Sequence, residues 1–121
     1  MTVLSGSDHL ALDMFVTGAT GWISGTANVI AAQSVALFDL VTRHGDLAAA
    51  RAIFREVHPF VTYAETSGHG IQAIKASMAL LGRPMGDPRA PLRRLPAVAF
   101  EVVRPLVERA LAAPLPALDR A

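Results

Sequence analysis

Val3-Leu4-Ser5-Gly6-Ser7-Asp8, and downstream Gly18-Ala19-Thr20-Gly21-Trp22-Ile23-Ser24-Gly25-Thr26-Ala27-Asn28-Val29, decide how this chain folds. Thr2-Val3-Leu4-Ser5 is a short apolar run stopped by Gly6 and reads as a buried strand. Ser7 or Asp8 can cap a helix, because either side chain can accept from the first unbonded amides. His9 to Val16 then carries Leu10, Leu12, Met14, Phe15 and Val16, and the run Gly18 to Gly21 ends that helix. Trp22-Ile23-Ser24 is the second strand. A strand, a helix and a strand in this order imply parallel pairing and a right-handed crossover.

Two such strands do not make a sheet that stands alone. Each presents an edge, both are apolar on both faces, and two-stranded sheets are marginal in water. The pattern fits the end of a larger parallel sheet.

From Val29 onward the chain reads as helices. The first passes through Val35, Leu37, Phe38, Leu40 and Val41 and stops at Gly45. Asp46 caps the next, whose apolar face is Leu47, Ala50, Ile53, Phe54, Val57, Phe60, Val61 and Ala64 at helical spacing. Pro59 removes a donor from it and predicts a kink. A third helix shows Ile71, Ile74, Met78 and Leu81 and ends at Gly82. A proline-rich connection, Arg83 to Pro96, leads to a last helix with Val98, Val102, Val103, Leu106, Val107, Ala110 and Leu111, and Pro105 as a second kink. Glu101, Arg104 and Glu108 are spaced as surface ion pairs. The end beyond Pro114 reads as frayed.

Composition narrows the function. The 121 residues carry a net charge of +1, which asks for neither nucleic acid nor an anionic membrane. No charge lies between Asp13 and Asp39, but that stretch holds too many Gly, Ser, Thr, Asn and Gln residues for a span of about 20 apolar residues. Cysteine is absent, which excludes disulfides and thiolate metal sites and suits a reducing, cytoplasmic setting. The amino terminus has no basic n-region of a signal peptide. Charged residues are only 17% of the chain against 52% hydrophobic, so part of the apolar surface is expected to meet a partner or further chain.

In combination these segments resemble the dihydrodipicolinate synthase / N-acetylneuraminate lyase family of pyruvate aldolases. The strand–helix–strand stretch is similar to the family's last two barrel strands, and Gly45-Asp46-Leu47-Ala48-Ala49-Ala50-Arg51 to its usual helix junction. Gly70-Ile71-Gln72-Ala73-Ile74-Lys75-Ala76, then Leu80-Leu81-Gly82 and Pro88-Arg89-Ala90-Pro91-Leu92, resemble its late helix and proline-rich loop. The resemblance implies an α/β fold: the last βα units of a TIM (β/α)8 barrel in residues 1–45, and a carboxy-terminal helical extension in 46–121, mostly α by content. Such barrels take roughly 250 residues, so the resemblance covers a carboxy-terminal portion only.

For function it implies a C–C lyase of the class I aldolase type, acting on pyruvate or another 2-oxo acid through a lysine Schiff base. That lysine, the proton-relay tyrosine and the threonine-containing carboxylate loop lie upstream of this segment in the family. The chain is therefore expected to lack its catalytic residues and to be inactive alone, with the missing amino-terminal barrel portion or a homo-oligomer as its partner. Gly6 and Ile23 match positions that line the pyruvate pocket through backbone; Ser7, Asp8 and His9 match a loop that contacts substrate hydroxyls in some members. His9 stands where the neuraminate lyases carry an acid and Gly25 where they carry a serine, which argues against neuraminic acid. No cofactor or metal is implied. The alternative is a non-catalytic helical module for oligomerisation or partner binding.

Several residues invite sharper readings. Lys75 is the only lysine, but its stem can lie on apolar surface with its head in water, and it matches a helix lysine of the extension. Tyr63, the only tyrosine, reads as a packing residue. His9, His44, His58 and His69 lack metal-ligand spacing. Asp8 next to His9 suggests acid–base work, yet neighbours on a helix point apart. Phe15 to Gly25, with Asp39 downstream, resembles a dinucleotide fingerprint; the displaced third glycine and a helical lead-in argue against it.

Overall fold

The computed structural model describes residues 1–117. Its elements are β1 (Leu4–Ser5), α1 (Ala11–Val16), β2 (Gly21–Trp22), α2 (Ala31–Asp39), α3 (Leu47–Thr66), α4 (Gly70–Leu80) and α5 (Ala97–Leu111). Short 3-10 turns at Asp8–Leu10 and Thr26–Asn28 follow the two strands, and α2 winds on through a π-helical turn, Leu40–His44. β1 and β2 pair in parallel with Leu4 opposite Gly21 and Ser5 opposite Trp22, as the strand–helix–strand order requires. A Cβ on Gly21 would sit 2.5 Å from Leu4 Cδ2, so the glycine lets the strands approach.

The expectation of a buried first strand needs correction. Val3 and Leu4 are 37% and 50% exposed, and only Ser5 is buried. The sheet has two strands, so their outer faces and edges have no covering layer among the described residues. The cap is a second correction: neither Ser7 nor Asp8 caps the turn that follows with its side chain.

Gly45, at φ 66°, takes the left-handed conformation that closes α2, one that costs residues with a Cβ about 1–2 kcal/mol. Asp46 then caps α3 by accepting from the Ala49 amide at 3.0 Å. α3 is the central helix and buries Ala50, Ile53, Val57, Phe60, Val61 and Ala64. It runs unbroken through Pro59. A proline has no amide to offer the carbonyl four residues back, here that of Arg55; Arg109 Nη2 from α5 donates to that oxygen instead, at 3.3 Å. Val103, Val107 and Ala110 of α5 pack into the same core. Phe15 bridges Trp22 and Phe38 by edge-on contacts with centroids 5.5 and 5.3 Å apart. The buried cluster is continuous across residue 45, with Leu37 and Phe60 both in it.

The face expected on α4 is half inward: Met78 is buried and Ile74 packs against the core, while Ile71 and Leu81 are exposed. Gln72, Ala73, Ser77 and Met78 are buried, whereas Ile71 is 56% exposed. At its start α4 comes close to the end of α3: a Cβ on Gly70 would lie 2.2 Å from the Ala64 carbonyl oxygen. Gly82 ends α4 in a Schellman motif, with Arg83 N donating to Met78 O at 2.9 Å and Gly82 N to Ala79 O at 3.0 Å. On α5, Arg104 pairs with Glu101 at 3.6 Å; Glu108 makes no ion pair among the described residues. Residues 114–117 have no regular structure, and the rest of the end expected to fray lies outside the described residues. Among the described residues no helix is long and apolar enough to cross a membrane.

Candidate functional site

The carboxyl ends of β1 and β2 lie side by side. Continuing the observed register by one residue sets Gly6 beside Ile23, which is 68% exposed. These two predicted pocket positions are thus brought together by the pairing itself.

Asp8 follows at once, and its carboxylate is buried beneath the loops. Oδ1 accepts from Trp22 Nε1 at 2.9 Å; Oδ2 accepts from the Thr26 amide at 3.0 Å and the Thr26 hydroxyl at 2.6 Å. One carboxylate therefore ties the loop after β1 to the end of β2 and the turn beyond it. Charge-assisted bonds of this kind are about twice as strong as neutral ones. Asp8 was expected at the substrate; its side chain is instead committed to three protein donors.

Ser7 and His9 point the other way, towards the last turn of α3. Glu65 accepts from the Ser7 hydroxyl at 2.7 Å, pairs with His9 Nδ1 at 2.5 Å and accepts from the Asp8 backbone amide. Glu65 thus caps the 3-10 turn from another element. Ser7 Oγ also lies 3.2 Å from His9 Nδ1. The serine and the acid share one ring nitrogen, so this is not a nucleophile–base–acid relay, which needs the two on opposite nitrogens. Partial burial would raise the Glu65 carboxyl, but the hydrogen bonds from Ser7, the Asp8 amide and His9 outweigh it and hold the group below the usual carboxylate range. Sequence reading missed Glu65. One signal was available: an acid in the last turn of a helix opposes the macrodipole and calls for an external reason.

The remaining candidates resolve simply. Lys75 Nζ donates to the carbonyls of Met85 at 2.8 Å and Gly86 at 3.4 Å, on the helical extension and away from the strand ends. Tyr63 is half-buried against the core. His58 and Thr62 sit on the surface of α3, and no group of three acidic or histidine side chains among the described residues could hold a metal. In the apparent dinucleotide fingerprint, Phe15 and Val16 belong to a helix and the glycines lead into a strand, the reverse of the order that cradles a pyrophosphate. Asp39 pairs with Arg43 at 3.3 Å. Gly25 has only Ile74 Cδ1, 3.3 Å from where a Cβ would stand, so α4 closes over the turn after β2.

Parallel strands joined by a helix, with a polar network at their carboxyl ends and helices packed behind, define an α/β protein whose site would gather at those strand ends. The chain belongs to the dihydrodipicolinate synthetase family, whose model matches residues 1–110. It is 34% identical over 96 residues to a 4-hydroxy-tetrahydrodipicolinate synthase of Parasynechococcus marenigrum, covering 79% of this chain and 31% of that protein. It is 33% identical over 93 residues to the N-acetylneuraminate lyase of Rattus norvegicus, covering 76% and 29%. A crystal structure from Pseudomonas aeruginosa, described as a dihydrodipicolinate synthetase, superposes with a TM-score of 0.83 at 33% identity, over 91% of this chain and 37% of that one. The chain thus spans about a third of the length of the proteins it matches.

Proposed function

We propose that this chain is the carboxy-terminal part of a pyruvate Schiff-base lyase, a dihydrodipicolinate synthase-like aldolase acting on 2-oxo acids, and that it is inactive until it joins the rest of a TIM barrel. β1 and β2 would be that barrel's seventh and eighth strands, with residues 46–121 as the helical extension. The observation that carries the reading is the Asp8 network, which locks two strand-end loops together at the face where such barrels keep their chemistry. In this arrangement Gly6 and Ile23 offer backbone to the pyruvate end of the substrate, while Ser7, tied to Glu65, and Asp8, tied to Trp22 and Thr26, hold the loop between them.

The groove of about 520 Å3 beside β2 supports the need for further chain. It is lined by Trp22, Ser34 and Phe38 among others. Ser34 Oγ is buried there with no hydrogen-bond partner among the described residues. The Schiff-base lysine would come from the upstream portion, and the setting would be the cytoplasm.

Co-expression with the preceding six βα units of a related barrel tests this. Aldol cleavage of a 2-oxo acid substrate should appear in the assembled complex and be absent from the chain alone. A correctly assembled complex that stays inactive would count against the lyase reading. A second reading, a non-catalytic helical module, is favoured by the exposed Val98 and Val102 on α5; it requires the isolated chain to unfold cooperatively as a defined oligomer.

A further inference from the structure

Away from the strand ends, α4, the 83–96 connection and α5 enclose a groove of about 430 Å3, within the size range of small-ligand sites. Its floor on α4 is Gln72, Lys75, Ala76 and Ala79, which share one helix face at i, i+3, i+4 and i+7. The two alanines leave the space that longer side chains would fill. Leu95 and Phe100 form the facing apolar wall.

Two polar groups on α4 face this groove with donors to offer. Gln72 lines the groove, and its amide atoms are not among the buried unpartnered ones, so they are reachable from the groove. Lys75 is the second. Its ammonium is fixed by two neutral carbonyls, those of Met85 and Gly86, and meets no carboxylate among the described residues. An ammonium has three donors, so one is left over. Asp87 also lines the groove, but it is engaged by Arg94 Nε at 2.6 Å. With Lys75 and Arg94 against Asp87, the groove keeps one uncompensated positive charge.

We propose that this groove binds a small carboxylate with a short apolar body. The carboxylate accepts from the third Lys75 proton and from Gln72 Nε2, and the apolar body lies on Ala76 and Ala79 between Leu95 and Phe100. The site is separate from the strand ends, and its occupation is a binding event, so its test does not depend on the lyase reading.

Sodium hexanoate is the probe, titrated into the full chain, or into the co-expressed assembly where that is the soluble form, and followed by 1H–15N NMR. Hexanoate should give saturable shifts centred on the Gln72 side-chain amide and the Met85–Asp87 backbone. Hexanamide, which keeps the tail and loses the charge, should bind weaker by about tenfold, the scale of a charge-assisted hydrogen bond. Gln72→Leu should weaken hexanoate by a similar factor and leave the Lys75 anchor in place, which matters because Lys75→Met also loosens the connection. Equal binding of hexanoate and hexanamide, or hexanoate binding unchanged in Gln72→Leu, overturns the proposal. So does the absence of saturable shifts in the groove, including the case where they gather on the exposed sheet instead.

Discussion

At the scale of single residues, two acids 57 residues apart divide one task. Asp8 looks inward and Glu65 looks outward, and between them they fix the loop that carries Ser7 and His9. Asp8→Asn should show how closely the inner contact is matched. Trp22 donates to one oxygen and Thr26 to the other, so an amide nitrogen must face a donor in either orientation. The expected cost is about 1–3 kcal/mol, the usual price of a buried donor left unmet. Urea denaturation followed by Trp22 emission reads it directly, since Trp22 is the only tryptophan and one of the three donors' hosts. A change within error would show that the network contributes nothing to stability. Glu65 predicts a pH effect. Its folded-state pKa is depressed, so its stabilisation is fully present above the ordinary carboxylate value of about 4.3 and is lost as pH falls through the lower folded value. Glu65→Gln should therefore be less stable than the parent at neutral pH, and the two urea midpoints should converge in acid. Parallel curves from neutral pH to acid would contradict the assignment.

At the scale of elements, glycines set how helices start and stop, and two of them should respond differently to alanine. Gly82, at φ 73° with nothing near its missing Cβ, carries only a backbone penalty, about 1–2 kcal/mol. Gly70 has no such φ, but a Cβ there would meet the Ala64 carbonyl at 2.2 Å, and backbone cannot swing aside as a side chain can. Gly70→Ala should therefore destabilise by more than Gly82→Ala and should move α4 against α3. Thermal unfolding of the two variants side by side decides it, and the reverse order would show that the approach at Gly70 is not a tight one. The same contrast explains what was legible in the sequence. α3 was readable because its cap, Asp46, and its apolar stripe are local signals, three or four residues apart. The face of α4 was legible only in part: Ile74 and Met78 pack inward as their spacing says, but apolar Ile71 is exposed while polar Gln72 and Ser77 are buried. Asp8 could be found by position within a motif, but not its partners Trp22 and Thr26, and Glu65 lies 56 residues along the chain from His9. The sheet was misread as buried because an apolar run announces that a covering layer is needed, not that the same chain supplies it.

At the scale of the whole molecule, the central fact is membership of an enzyme family in a chain whose two parallel strands have no further strand beside them among the described residues. The proposed chemistry requires a lysine at a barrel strand, and the one lysine here is elsewhere, held by the carbonyls of Met85 and Gly86 on the extension. A Schiff base needs a nitrogen lone pair presented to the carbonyl carbon of the substrate. Lys75 Nζ instead donates two of its protons to protein and faces a groove whose one lining carboxylate, Asp87, is engaged by Arg94. Incubation with pyruvate and sodium borohydride, read by intact mass, should therefore leave the isolated chain unmodified. The co-expressed assembly should gain one reduced pyruvate adduct, on the upstream polypeptide and not on this one. A stoichiometric adduct on Lys75 in the chain alone would mean that this short polypeptide forms its own Schiff base, and the division of labour between the strand ends and the missing barrel would have to be abandoned.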